Sequence, residues 1–134
     1  MKTRLMTVLA MSFAVSAAVG CGKIKQQKEC AEVIKTINAG VTRAKAANLS
    51  SPAGFKQFAE AYETTGQEAA KLSVTDPELK KQVDEYVVLT KEIAKAARDA
   101  AEPAKLPMAR KEISAAAAKE NALVNKMNTT CMRK

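Results

Sequence analysis

The residues of this chain best suited to covalent chemistry are its three cysteines, Cys21, Cys30 and Cys131. A thiol can act as a nucleophile, bind a metal or form a disulfide. The chain has no histidine, so it lacks the imidazole base that a catalytic serine or cysteine ordinarily uses and any Glu-x-x-His metal motif. Its carboxylates alternate with lysines, as on exposed helix faces. We therefore expect a protein that is not an enzyme and needs no cofactor.

Methionine sulfur is a second kind of soft ligand. Met108, Met127 and Met132 could hold Cu(I), but their spacing converges on no site. We expect these side chains to fill gaps in a core, and we expect no metal.

Cys21 follows a segment with the three-part layout of a secretory signal. Residues 1–4 carry two cations, residues 5–19 are uncharged and largely apolar, and small residues precede the cysteine. The apolar run is shorter than the about 20 residues that span a bilayer. The pattern predicts export followed by cleavage.

The four residues Ala18-Val19-Gly20-Cys21 resemble the lipobox of bacterial lipoproteins, although that family usually carries Leu where Ala18 stands. The resemblance covers residues 1–21 only. It implies that residues 1–20 are a cleaved signal peptide and that Cys21 is lipidated. Gly22, in place of an Asp, implies sorting to the outer membrane, facing the periplasm. Ordinary cleavage after Ala18, or a cysteine placed there by chance, are the alternatives.

The other two cysteines are expected to pair. Lipidation of Cys21 leaves Cys30 and Cys131, an even number of free thiols. An oxidising envelope compartment allows a disulfide between them to persist. Two buried free thiols are the alternative.

The processed chain would have 114 of the 134 residues, enough for one domain. Its net charge would fall from +8 to +6, because Lys2 and Arg4 leave with the signal. A basic exported protein favours anionic lipid, anionic wall polymers such as peptidoglycan, or acidic protein surfaces, and export argues against nucleic acid. Solvated surface lysines without a binding role are the alternative.

Prolines and capping residues divide the processed chain into four helical segments. Ser51-Pro52 and Asp76-Pro77 each set a capping side chain before a proline in the first turn. Pro103 and Pro107 punctuate the third connection. The predicted helices cover residues 26–47, 52–72, 77–101 and 107–131.

Apolar residues recur at steps of three and four in each segment, so each helix should bury one face. Val87, Val88 and Leu89 widen the apolar face of the third helix, which we expect to be the most buried. Glu120 lies near the apolar stripe of the fourth, and we expect it at a solvated edge or paired with a lysine. The predicted stripes comprise Cys30, Val33, Ile34, Ile37, Val41 and Ala44; Phe55, Phe58, Tyr62, Thr65, Ala69 and Leu72; Leu79, Val83, Tyr86, Thr90, Ile93, Ala97 and Ala100; and Ile113, Ala116, Ala117, Leu123, Val124, Met127 and Cys131.

Four amphipathic helices with short connections predict an all-α fold, an antiparallel up-down-up-down bundle over residues 26–134, with residues 21–25 as a short lipidated tether. In this topology Cys30 and Cys131 lie at the same end, where a disulfide is feasible. The same end would gather a basic patch near the membrane, formed by Lys23, Lys25, Lys28, Lys126, Arg133 and Lys134.

We expect a lipid-anchored envelope lipoprotein that presents helix faces to a protein partner, as an interaction or scaffold module. One alternative is a periplasmic carrier or sensor that binds a small apolar or anionic ligand between helices, and a void beside Phe55, Phe58, Tyr62 and Tyr86 would favour it. The other alternative is an electrostatic cell-wall-binding protein.

Overall fold

The computed structural model describes residues 16–133, with side chains from residue 22 onward. The predicted signal segment before residue 16, the side chain of Cys21 and the whole of Lys134 lie outside the described residues. In the described part, the chain forms four α-helices joined by short connections: α1 (Ser16–Lys45), α2 (Pro52–Ala70), α3 (Pro77–Ala100) and α4 (Leu106–Met132). The predicted all-α helical bundle is confirmed.

The helix boundaries follow the capping chemistry of the sequence. Ser51 Oγ accepts a hydrogen bond from the Gly54 amide at 3.1 Å, and Asp76 Oδ1 accepts one from the Leu79 amide at 2.8 Å. A proline occupies the first turn of α2, α3 and α4. Seven of the eight predicted helix ends lie within two residues of those observed.

The exception is the start of α1. The helix begins at Ser16, ten residues before the predicted Gln26, and therefore includes residues 21–25. No proline interrupts this stretch, and Ala17, Ala18, Lys23 and Lys25 favour helix. None of the described helices is long and apolar enough to cross a membrane.

The main core fills the half of the bundle that contains the two cysteines. Its largest fully buried side chains include Val33 from α1, Leu79, Tyr86 and Ile93 from α3, and Met127 from α4. As predicted, α3 contributes the most buried residues. The expectation for Val88 is wrong: its side chain is 56% exposed, because its position on the helix turns it to solvent between half-buried Val87 and buried Leu89.

Towards the other end of the bundle, two smaller clusters hold α2, α3 and α4 together. One is built on Phe55, Ala100 and Ala109, and the other on Ala59, Ala94 and Ala97. We call them the two alanine clusters. Within the described residues, α1 contributes nothing to either cluster. The first helix is thus packed less completely than the other three.

Two glycines let neighbouring helices approach closely. A Cβ on Gly40 of α1 would lie 2.2 Å from Thr65 Oγ1 of α2, and one on Gly66 of α2 would lie 2.3 Å from Thr90 Oγ1 of α3. Since real atoms do not approach that closely, both positions require glycine for this packing. The two contacts draw α1 and α3 tightly onto α2.

Candidate functional site

The helices α1 and α4 are joined at one end and separate along the rest of their length. A disulfide links Cys30 of α1 to Cys131 of α4, with 5.8 Å between the Cα atoms. The predicted pairing is confirmed. Beyond it, α1 packs along α2 and makes few contacts with α4.

The separation leaves a cavity of about 690 Å³, which we call the α1–α4 groove. Its lining comes from three helices and the connection after α1. The lining residues are Ile37, Asn38, Val41, Ala44, Lys45, Ala47, Leu49, Phe58, Tyr62, Glu120, Asn121, Val124 and Asn125. The volume is in the range of small-molecule sites.

The floor of the groove is aromatic. Phe58 and Tyr62, one turn apart on α2, have ring centroids 4.9 Å apart and planes inclined at 49°. Both side chains are only partly buried, because α1 does not cover them. Aliphatic side chains of Ile37 and Val41 on one wall and Val124 on the other make the interior largely apolar.

A single carboxylate lies in this apolar setting. Glu120 is only 8% exposed. Its Oε2 accepts a hydrogen bond from Tyr62 Oη at 2.8 Å, and its Oε1 accepts one from Tyr86 Oη at 3.2 Å. Among the described residues Glu120 takes part in no ion pair. Two phenols, rather than a cation, solvate its charge.

This arrangement corrects the sequence-based expectation for Glu120, which was a solvated edge or a lysine partner. The expectation fails because the stripe position of Glu120 turns it inward, where Tyr62 and Tyr86 also point. A signal was present in the sequence: a buried tyrosine ordinarily needs an acceptor for its hydroxyl. Both tyrosines of the chain lie on predicted stripes, and Glu120 falls on the fourth stripe, three residues after Ala117 and four before Val124.

We call Glu120 and its two donors, Tyr62 and Tyr86, the Glu120 cluster, and it raises the pKa of both tyrosines. Burial first, then the negative charge of Glu120 and the hydrogen bond to it, raise the pKa of Tyr62 far above its usual value. Burial and the Glu120 charge likewise raise the pKa of Tyr86. Both phenols therefore remain neutral donors even at alkaline pH, where an exposed tyrosine ionises.

The rim of the groove is polar. Asn38, Asn121 and Asn125 are exposed amides, and Lys45 is an exposed cation at the last turn of α1. The buried carboxylate and the exposed ammonium differ in their surroundings. The charge of Lys45 is solvated, whereas that of Glu120 is shielded from water.

Arg43 fixes α1 against α2 beside the groove. Its Nη1 donates to Glu68 Oε1 at 2.9 Å and its Nη2 to Thr65 Oγ1 at 3.2 Å. The hydrogen bond to Glu68 raises the pKa of Arg43, and the same bond lowers the pKa of Glu68. The Nε of Arg43 is buried and has no hydrogen-bond partner among the described residues.

At the disulfide end, the described members of the predicted basic patch are all exposed. Lys23, Lys25 and Lys28 precede Cys30 on α1, and Lys126 and Arg133 flank Cys131 on α4. The disulfide brings these two groups of cations to one end. Carboxylates are present there too: Lys23 and Lys25 line a shallow surface together with Glu29 and Asp76.

Glu29 is itself a structural residue of this end. It is 6% exposed and accepts hydrogen bonds from Thr75 N at 3.0 Å and Thr75 Oγ1 at 2.7 Å. Burial alone would raise its pKa, but these bonds, the Asp76 amide and the charge of Lys25 together lower it. Gln26 Nε2 also donates to Asp76 Oδ2 at 3.0 Å. These contacts tie α1 to the α2–α3 connection.

The three methionines considered as soft ligands do not come together. Met127 is fully buried in the main core, while Met108 and Met132 are exposed at the beginning and the end of α4. In residues 22–133, no group of three or more His, Cys, Asp or Glu side chains is arranged to hold a metal.

Comparison of the chain with protein-family models, with curated proteins and with solved structures finds no match.

Proposed function

We propose that this protein is a lipid-anchored binding protein of the cell envelope, a carrier or sensor that takes a small ligand into the α1–α4 groove. The observation that carries the proposal is the uncovered aromatic floor. Phe58 and Tyr62 lie at the bottom of a cavity of about 690 Å³, which their own bundle leaves open. Concave, mostly apolar sites with a few polar groups are the usual form of ligand pockets.

The distribution of the exposed apolar side chains favours a ligand in the groove over a protein partner on a flat surface. Among the described residues, the large ones lie on several elements: Ile24 on α1, Leu49 after α1, Val88 on α3, and Met108 and Met132 at opposite ends of α4. Protein-docking faces ordinarily gather such residues into one contiguous patch. A scaffold function therefore has less support than ligand binding.

The proposed anchor is lipid on Cys21, in the outer membrane with the bundle facing the periplasm. Cys21 precedes Gln26, whose side chain contacts Asp76, by five residues, or about 7–8 Å of helix rise. The bundle would then stand close to the bilayer, with exposed Ile24 and Met132 and the five described cations at that end. Such a surface suits the interface of an anionic leaflet.

The groove is tested by binding of a small neutral probe. The processed protein, in zwitterionic lipid nanodiscs bounded by an aliphatic polymer rather than a protein belt, is titrated with cyclohexylmethanol while tyrosine fluorescence is recorded. The chain has two tyrosines and no tryptophan, and both tyrosines belong to the Glu120 cluster, so the signal reports the groove. We expect saturable binding that Val41→Phe weakens severalfold by filling the groove.

Val88→Phe is the matched control, because Val88 is exposed on α3 and does not line the groove. It should bind the probe as the native chain does. Absence of saturable binding, or equal binding by Val41→Phe and the native chain, would contradict a groove ligand.

The anchor is tested separately by intact mass. We expect diacylglycerol and acyl mass on Cys21 as the first residue of the processed chain, and release into the soluble fraction on Cys21→Ser. An unmodified protein cleaved after Ala18 would contradict the anchor and leave the groove result unaffected.

A further inference from the structure

We propose that the ligand of the α1–α4 groove is a lipophilic amine, a molecule with an apolar body and one protonated nitrogen that pairs with Glu120. The inference rests on the proposed function and specifies its ligand class. It follows from the charge, the aromatic rings and the apolar walls that meet in the groove.

The carboxylate of Glu120 is buried and lacks a cationic partner among the described residues. A buried charge is costly unless it is paired and hydrogen-bonded. Glu120 has hydrogen bonds from Tyr62 and Tyr86, but no ion pair among the described residues. A carboxylate has about four lone-pair sites, so two phenols leave acceptor capacity for a further donor. A protonated nitrogen would supply both that donor and the missing positive charge.

The aromatic floor of the groove also favours a cation beside Glu120. Tyr62 donates to Glu120 and also forms, with Phe58, the aromatic floor. Cations bind favourably over the faces of such rings within about 6 Å of their centroids. The carboxylate and the rings thus favour the same ligand group.

The walls of the groove are aliphatic. Ile37, Val41, Ala44 and Val124 form apolar walls around the floor, which suit a hydrocarbon body rather than a small hydrated ion. Entry of such a body would remove apolar surface from water, which favours binding.

Lys45 is the positively charged residue of the groove lining, and its charge would repel the cation that Glu120 attracts. Its side chain is exposed at the rim, one helical turn beyond Val41. Exposed charges are screened by water and salt over about 8–10 Å, whereas a buried charge is screened much less. Glu120 therefore dominates inside the groove, and an anionic ligand is disfavoured there.

The test compares three probes that share one apolar body. Cyclohexylmethylammonium, cyclohexylmethanol and cyclohexylacetate are titrated against the processed protein in zwitterionic nanodiscs, with tyrosine fluorescence as the readout. Empty nanodiscs correct for partitioning into lipid. We expect the ammonium to bind about tenfold or more tightly than the alcohol, since one hydrogen bond to a charged group is worth about that much. The carboxylate should bind most weakly.

Glu120→Gln should reduce ammonium binding to the level of the alcohol, because the amide still accepts a phenol hydrogen bond but carries no charge. Glu112→Gln is the matched control: Glu112 is exposed on the same helix and is not part of the groove lining. It should keep the preference for the ammonium. The three-probe comparison on the native chain remains decisive even where a variant fails to fold.

The outcomes separate the two proposals. Equal binding of ammonium and alcohol, with sensitivity to Val41→Phe, would overturn the amine inference and leave the groove function standing. Retention of the ammonium preference in Glu120→Gln would also overturn it. Failure of all three probes to bind would overturn the proposed function itself.

Discussion

Tyr62 Oη lies 2.8 Å from Glu120 Oε2, although the two residues are 58 positions apart in the chain. The bond crosses the floor of the α1–α4 groove and joins α2 to α4. Tyr86 brings α3 to the other oxygen of the same carboxylate. One acidic side chain therefore connects the three helices that also share the alanine clusters, and α1 stands outside this connection.

Removing a phenol from the cluster should destabilise the bundle. Tyr86→Phe keeps the ring but leaves one Glu120 oxygen without its donor, and a buried acceptor left unsatisfied costs about 1–3 kcal/mol. Urea unfolding followed by circular dichroism measures the change. Combining Tyr86→Phe with Glu120→Gln should recover part of the loss, because the buried charge is gone. A Tyr86→Phe protein as stable as the native chain would show that this bond contributes nothing.

The tyrosine cluster should also set an alkaline limit of stability. The folded pKa of each phenol is raised above its unfolded value of about 10. A raised folded pKa gives stability that is fully present below the unfolded pKa and is lost as pH rises above it. Absorbance of phenolate should therefore stay absent until the helices unfold, and then rise for both tyrosines together. Ionisation of either tyrosine near pH 10 in a protein with intact helical circular dichroism would contradict the buried arrangement.

Glu29 should contribute to the pH dependence of stability in acid. Its folded pKa is lowered, so its stabilisation is present above the unfolded pKa of about 4.3 and is lost as pH falls through the folded pKa. Glu29→Gln should reduce stability at neutral pH and flatten the acid limb of the stability curve. Glu32→Gln is the control on the same helix, since Glu32 is exposed. If the native chain and Glu29→Gln lost the same stability as pH falls, the role of the Thr75 hydrogen bonds would be disproved.

Reduction of the disulfide should loosen α1 more than the other helices. Cys30 and Cys131 are separated by 101 positions, and a loop of that length stabilises the fold by about 4–5 kcal/mol in the chain-entropy description. Hydrogen exchange with and without reductant should show the largest increase in α1, because α1 lacks contacts in the two alanine clusters. Uniform loss of protection over all four helices would contradict this division.

Much of the fold is predictable from local chemistry. The capping pairs Ser51-Pro52 and Asp76-Pro77 predict where two of the helices begin. Apolar residues at steps of three and four predict the face that each helix buries. The early start of α1 was missed because helix propensity continues through residues 16–25 without a break, whereas the prediction began the helix after the expected tether.

The groove could not be predicted in the same way. A helical pattern gives the face that a helix buries, but not the distance between two neighbouring helices. That distance depends on pairs such as Gly40 and Thr65, which are remote in sequence and meet only in the fold. The stripe position of Glu120 indicates that it turns inward, but its partners Tyr62 and Tyr86 come from two other helices and could not be predicted in this way.

Gly40→Ala should test how tightly α1 is set on α2. The new Cβ would lie 2.2 Å from Thr65 Oγ1, and Thr65 is buried and bonded to Ala61 O. Overpacking of this kind typically costs about 1–3 kcal/mol. Gly22→Ala in the same helix meets nothing within 4 Å and should be neutral or stabilising by up to about 1 kcal/mol. Equal stability of the two variants, measured by urea unfolding, would contradict the close approach.

The contact of Gly40 with Thr65 also acts as a spacer for the α1–α4 groove. A helix held near one neighbour is kept away from the other, so the width of the opening depends on a pair of residues that never line it. Changes in side-chain size at positions 40 and 65 would widen or narrow the opening while its chemical lining stayed the same. The width of the α1–α4 groove and the chemistry of its lining are therefore set by different residues.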